Sequence, residues 1–190
     1  AGSGAFVVTL NNDTRLAPTC LAELLAAVSD PDIGMIAPCI VQWQSPSRLD
    51  SAGIEVDRAG IGWQRGWNRP VEEAAAEQDV FGPSAAAALY RRAMLEEVGL
   101  FDEDFFAYYE DVDLAWRARQ AGWRCRYAPR ATVQHWHSAT ASAAPARKLY
   151  LISRNKIWTL LKNYPTRDLW RRWPVILLYD FMGAASHLPS

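Results

Sequence analysis

An α/β fold, with a mixed and mostly parallel sheet flanked by helices, is the class that this 190-residue sequence predicts. Phe6–Leu10 (F-V-V-T-L) is a nearly unbroken apolar run rich in β-branched residues, the pattern of a strand covered on both faces. Leu21, Leu24, Leu25 and Val28 recur at helical spacing and separate it from a second apolar run at 33–41. Strand, helix and strand in that order imply a right-handed crossover and a parallel neighbour. Further on, a helix opened by acids at 110–113 feeds the strictly alternating stretch 123–127, a half-buried strand.

Composition narrows the function. Half of the residues are hydrophobic, enough for one domain with its own core. A formal net charge of -1 offers no basic field for a nucleic-acid backbone, so no nucleic-acid partner is expected. Cys20, Cys39 and Cys125 are scattered and odd in number, which argues against a disulfide framework and against a zinc site. No apolar segment reaches the roughly 18 residues of a membrane span. The chain starts Ala1-Gly2-Ser3-Gly4 without an initiator Met and enters a strand at once, as a piece of something longer would.

Taken in order, the first strand ends in Asn11-Asn12-Asp13-Thr14. Ligands of open α/β sheets gather beyond the carboxyl ends of strands, and an acid there suits a hard, oxygen-preferring Mg2+ or Mn2+ beside a phosphate-bearing substrate. The same residues equally make a turn or a helix cap. A helix over 18–28 closes at Asp30-Pro31, and Gly34 and Pro38 interrupt the second strand. From 42 to 78, glycines, Trp43, Trp63 and Trp67, and Arg58, Arg65 and Arg69 replace periodicity. This is a long loop or irregular hairpin, either a flap whose tryptophans stack on a sugar or nucleotide or a mobile surface insertion. The small residues 84–88 admit close approach of a backbone or ligand, or form a helix. A short helix over 91–98 stops at Gly99.

Beyond 127, Ala128-Pro129 turns the chain into a second alternating strand, 131–135, where His135 shares a face with Ala131 and Val133. His137 falls on the same side and Ser138-Ala139-Thr140 follows, so the strand end reads as a site. From 144 a helix carries Leu149, Ile152, Ile157, Leu160 and Leu161, with Arg147, Lys148, Arg154, Lys156 and Lys162 around them. Such cations bind phosphates or form a solvated face. Trp170-Arg171-Arg172-Trp173 before the apolar 175–182 suits a peripheral membrane contact or a packing helix.

The stretch 105–123 carries the strongest chemical signal. Phe105, Phe106, Tyr108 and Tyr109 lead directly into Glu110, Asp111 and Asp113. Acids in a first turn suit the helix dipole, but the aromatic neighbours also exclude water, which raises a carboxylate pKa toward that of a useful general base.

Four landmarks in this order resemble the family 2 glycosyltransferases of the GT-A fold, most closely the rhamnosyltransferase-like group that builds bacterial cell-surface polysaccharides. They are L-N-N-D-T at 10–14, the segment from Y-R-R-A-M-L to R-Q-A-G-W at 90–123, A-T-V-Q-H at 131–135, and R-N-K-I-W-T-L-L-K-N-Y-P at 154–165. The resemblance implies a partial GT-A (nucleotide-diphospho-sugar transferase) fold lacking the N-terminal nucleotide-binding strands, with 1–145 as the catalytic and acceptor half and 146–190 as a C-terminal helical segment. It implies that Asn11, Asn12 and Asp13 stand for the Asp-x-Asp motif, Asp13 holding the divalent cation that bridges the donor diphosphate and His135 completing that metal site. Asn11 departs from the family's carboxylate, and Gly82-Pro83-Ser84 from its Gly-Ala pair. Asp111 would take the proton from the acceptor hydroxyl and Glu110 would orient the acceptor. The Trp-rich stretch lies outside the resemblance; on the reading of the residues themselves, Trp63, Trp67, Tyr109 and Arg154 are expected at the substrate.

The implied reaction is inverting transfer of a sugar from a nucleotide-sugar donor to a hydroxyl of a cell-surface glycan or lipid-linked glycan acceptor. The implied place is the cytoplasm, at the inner face of the plasma membrane, and rhamnose from a dTDP donor follows from the likeness alone. Because the chain begins after the family's V-x-I-V-x-Y-N region, it is expected to bind donor poorly and to turn over little by itself. Two alternatives stand beside this reading. A nucleotidyltransferase forming nucleotide sugars calls for a Gly-rich phosphate loop near the N-terminus, and a non-catalytic glycan-binding module would rest on the Trp-rich stretch.

Overall fold

The computed structural model describes residues 2–57, 59–136 and 145–186. Its centre is β3 (Ile33–Gln42), buried along all but its last residue, as an apolar run with no polar face requires. β9 (Arg124–His135) lies parallel on one side of β3, and β8 (Ala87–Arg91) antiparallel on the other. β1 (Phe6–Leu10) pairs with β8, and β2 (Thr14–Leu16) pairs with β9. β4 (Ser45–Ser51) adds to β3 and β7 (Gln78–Val80) to β9, while β5 (Ile54–Val56) and β6 (Gly62–Gln64) form a separate hairpin.

α1 (Cys20–Ala26), α2 (Arg92–Val98) and α3 (Glu110–Gln120) cover the sheet, and α4 (Pro145–Asn163) packs on α3 and leads into α5 (Thr166–Ser186). Met35, Ala37, Cys39 and Val41 pack with Met94, Leu114 and Ala118 in one apolar layer. Ile36 and Ile40 pack with Leu24 in the other. At roughly 25 cal/mol per Å2 of apolar area, these two layers are the main favourable contribution to folding.

The fold is α/β with a mixed, helix-flanked sheet, as the pattern predicts, but the balance of pairings is antiparallel. β3 with β9 is the parallel pair; the other named pairings run antiparallel. β1 and β3 do point the same way, yet β8 stands between them and pairs antiparallel with both. Periodicity and connection length give direction; they do not show that a strand from later in the chain inserts. The turn expected at Ala128-Pro129 is instead a bulge within one strand. Pro38 faces Ala128 and Cys39 faces Thr132, so Pro129, with no N–H to donate, sits where the ladder is interrupted.

The stretch 42–78 is an irregular hairpin region rather than an open loop, its tip closed by Asp57 Oδ1, which accepts from the N–H groups of Ala59 and Ile61 at 2.7 and 3.0 Å. Of the small-residue run 84–88, Ala87 and Ala88 open β8 and none is helical. Gly82 is required for space, since a Cβ there would lie 2.4 Å from Ala115 Cβ of α3. α4 docks on α3 through Asp113, which is fully buried and accepts from Arg117, Lys162 and Asn163. Among the described residues no helix is long and apolar enough to cross a membrane. Arg58, His137 and Ser138-Ala139-Thr140 lie outside the described residues.

Candidate active site

The carboxyl ends of β1 and β9 and the amino end of α3 converge on a cleft of about 640 Å3, with the β5–β6 hairpin forming part of its wall. Asn11, Asp13, Tyr109, Glu110, Asp111 and His135 all line it.

Strand register builds the Asp13 side. Thr14 of β2 stands opposite His135 of β9, and the Trp136 N–H donates to the Asp13 carbonyl at 2.9 Å, so Asp13 is delivered beside the imidazole. Its Oδ1 lies 3.3 Å from His135 Nε2. On the other ring nitrogen, Asp50 Oδ2 is 2.6 Å from Nδ1. Asp50 reaches that position because the β3–β4 ladder is irregular there. Ile40 faces Ser51 and Val41 faces Leu49, which leaves Asp50 as the extra, inward residue. Burial alone would lower the His135 pKa, but hydrogen bonding to Asp50 and the charges of Asp50 and Asp13 outweigh it and raise it.

The acid side is delivered by a strained loop. Phe106, Tyr108 and Tyr109 have φ of 63, 68 and 69°, a left-handed region that costs non-glycine residues about 1–3 kcal/mol each. Side chains from α4 hold it. Asn155 Nδ2, fully buried, lies 2.9, 2.8 and 2.7 Å from the carbonyls of Phe105, Ala107 and Tyr108. From the hairpin, the Gly62 N–H donates to Tyr109 Oη at 3.2 Å. α3 then starts at Glu110 with no capping side chain.

Asp111 Oδ2 accepts the Ala85 N–H at 2.9 Å and Oδ1 the Val112 N–H at 2.8 Å, so its orientation is fixed. Burial raises its pKa despite these bonds. Glu110 is pushed up to about 7, by burial first and then by the neighbouring Asp111 charge. Its Oε2 is buried and accepts no hydrogen bond.

Of the residues singled out in the sequence, Asn11, Asp13, Trp63, Tyr109, Glu110, Asp111 and His135 thus share one cleft. Asn12 is exposed and not part of its lining. Trp67 lines two neighbouring hollows. Arg154 is directed at the loop: Nη2 donates to the carbonyls of Asp104 and Phe105, and the guanidinium lies 4.3 Å from the Trp158 ring centroid. Two residues that sequence reasoning missed are Asp50, hidden in a stretch without periodicity, and Asn155, hidden in a row of cations.

The donor set fits a divalent cation. Asp13 Oδ1 is buried without a hydrogen bond, and its 3.3 Å spacing from Nε2 is close to the roughly 3 Å between adjacent ligands of an octahedral ion. Asp50, bonded to Nδ1, turns Nε2 toward that position. Among the described residues no group of three or more His, Cys, Asp or Glu could hold a metal, so the remaining ligands would come from substrate and water.

A family model described as glycosyl transferase family group 2 matches residues 6–186. N-acetylglucosaminyl-diphospho-decaprenol L-rhamnosyltransferase of Mycobacterium tuberculosis is 31% identical over 156 residues, covering 76% of this chain and 51% of that protein. The pre-mycofactocin glycosyltransferase of the same organism is 32% identical over 149 residues, covering 76% of this chain and 30% of that protein. The chain therefore spans about half the length, or less, of these curated relatives. The solved structure of GalNAc-T7 with UDP, GalNAc and Mn2+ superposes with a TM-score of 0.58 over 83% of this chain and 31% of that one, at 17% identity, a likeness of fold. Because the family match runs from the first strand to the last helix, the chain belongs to the glycosyl transferase family group 2.

Proposed function

We propose that this chain supplies the catalytic and acceptor-binding part of an inverting glycosyltransferase that moves a sugar from a nucleoside diphosphate to a hydroxyl of a glycan or lipid-linked glycan. The observation that carries this reading is the pairing, in one cleft, of a buried and oriented carboxylate with a carboxylate and imidazole suited to a cation. Asp111, its proton affinity raised by burial, accepts the proton of the acceptor hydroxyl. The acceptor oxygen then bonds to the anomeric carbon as the carbon–oxygen bond to the diphosphate breaks on the opposite face, which inverts that centre. One base suffices, and no carboxylate nucleophile is needed. Glu110 orients the acceptor, while Tyr109 and Trp63 flank it. Asp13 and His135 would hold Mn2+ or Mg2+, which when bound neutralises charge on the leaving diphosphate.

The name of one mycobacterial relative, the decaprenol L-rhamnosyltransferase, supports a rhamnosyl donor and a polyprenyl-linked acceptor for the whole protein. A peripheral membrane contact fits such an acceptor. α5 turns Trp170, Leu177 and Leu178 outward beside exposed Arg167 and Arg171, a composition suited to an anionic lipid surface on the cytoplasmic side.

The test is donor turnover by the full-length enzyme with dTDP-rhamnose and UDP-sugars, with and without Mn2+, compared with Asp111→Asn. A cation-dependent release of nucleoside diphosphate that falls about 10²- to 10⁴-fold in the variant is expected. Turnover unaffected by the substitution removes Asp111 as base. Release of pyrophosphate from a sugar phosphate and a nucleoside triphosphate would make the protein a nucleotidyltransferase, and sugar binding without any transfer would make it a glycan-binding module.

A further inference from the structure

A second hollow, of about 310 Å3, shares His135 with the catalytic cleft but contains neither Glu110 nor Asp111. Its walls are Trp43, Trp67 and Trp136 with the amides of Gln42, Gln44 and Asn68. The strand ends that assemble the cation donors also assemble this aromatic wall. Gln42 of β3 stands opposite His135 of β9, the Trp43 N–H donates to the His135 carbonyl at 3.0 Å, and the Trp136 N–H donates to Asp13. The Trp43 and Trp136 rings meet with centroids 5.6 Å apart at 57°, forming an angled corner.

Trp67 and Trp136 remain 47% and 45% exposed, a large apolar area to leave in water beside a site that handles polar substrates. Among the described residues, His135 is the one side chain carrying charge that lines the hollow. A phosphate group would call for Arg or Lys, and an acyl chain would make no use of the amides. What fits apolar ring faces rimmed by amides, each offering donors and an acceptor, is a neutral ring with hydrophobic C–H faces and hydroxyls at its edge.

We propose that this hollow is a sugar subsite, which takes a unit of the acceptor glycan other than the one whose hydroxyl reacts. Its assignment to the acceptor rests on the transferase reading; its preference for a neutral sugar rests on the wall chemistry alone. The occupant is not the reacting unit, because that unit must reach Asp111, which lies in the other cavity. A subsite of this kind lowers the acceptor KM and leaves the chemical step at Asp111 unchanged.

Methyl glycosides of rhamnose, N-acetylglucosamine, galactose and mannose, with uridine and thymidine as controls, are titrated against the full-length enzyme by saturation-transfer NMR. At least one glycoside is expected to bind, with affinity reduced about tenfold in Trp43→Ala and Trp136→Ala, retained in Trp136→Tyr, and unchanged in Asp13→Ala. Asn68→Ala, at an exposed amide, reports on the same hollow if a tryptophan variant does not fold, and a severalfold loss is expected. In transfer assays Trp136→Ala raises the acceptor KM with kcat retained. Binding of no glycoside, binding of nucleosides in their place, or loss that follows Asp13 instead of the tryptophans overturns the subsite. Transfer with an unaltered KM in the tryptophan variants overturns it and leaves the transferase standing. Tryptophan-dependent sugar binding without any transfer keeps the sugar pocket and removes the transferase.

Discussion

Glu110 and Asp111 are neighbours whose negative charges oppose each other in a place where water is scarce, so the folded protein holds a proton that the unfolded chain has already released. The Glu110 value moves from about 4.5 to about 7 on folding, and stability therefore falls as pH rises through that window. Glu110→Gln removes the conflict. It is expected to raise the melting temperature at pH 8 and to leave it nearly unchanged at pH 4, which thermal melts at the two pH values will check. The aromatic run ahead of the acids announced this raised affinity for protons. What it did not separate was Asp113, one of the same three acids. On a helix, positions two apart face different ways, so Asp111 meets the cleft while Asp113 is sealed under α4 by Lys162 and Asn163. Asp50 left still less trace, because its role comes from an irregular ladder and not from its neighbours in sequence.

At the level of elements, α4 is the strut of the strained loop ahead of α3. Three left-handed residues in a four-residue stretch persist only if their surroundings impose them, and Asn155 supplies much of that constraint. Asn155→Leu nearly keeps the shape but removes the amide from the part-buried Ala107 and Tyr108 carbonyls. It is expected to cost about 3 kcal/mol in urea denaturation. Transfer should fall further than in Arg154→Ala, whose guanidinium touches the loop only at Asp104 and Phe105. Helical spacing correctly placed Ile152 and Leu160 on the packed side, but Leu149, Ile157 and Leu161 of the same stripe are exposed. Spacing could not tell that Asn155 and Lys156 are both buried, since 154–156 reads as a solvated run. For the same reason Pro129 read as a turn: a proline forbids a ladder bond, and only the partner strand shows that the ladder resumes at Thr132.

For the whole molecule, the two halves of the site come from opposite parts of the topology. β1, β2 and β9 bring Asp13 to His135, and α3 and β8 bring Asp111 to Ala85. Strand existence was legible from apolar runs, whereas strand order was not, because β8 enters between β1 and β3 from some fifty residues downstream. A ligand spanning both halves should stabilise the fold by mass action, by about 2.7 kcal/mol at a hundredfold excess over Kd. Melting the full-length enzyme with Mn2+ and UDP is expected to show that upward shift, with chelator reversing it and Asp13→Ala abolishing it.

The contacts between Asn155 and the loop span 47 to 50 residues of chain. A ribosome delivers the acids long before it delivers the amide that fixes the loop ahead of them. During that interval the strained loop ahead of the acids lacks the amide that fixes it. On the proposed reading, competence for chemistry would arrive only with the docking of α4 on this loop.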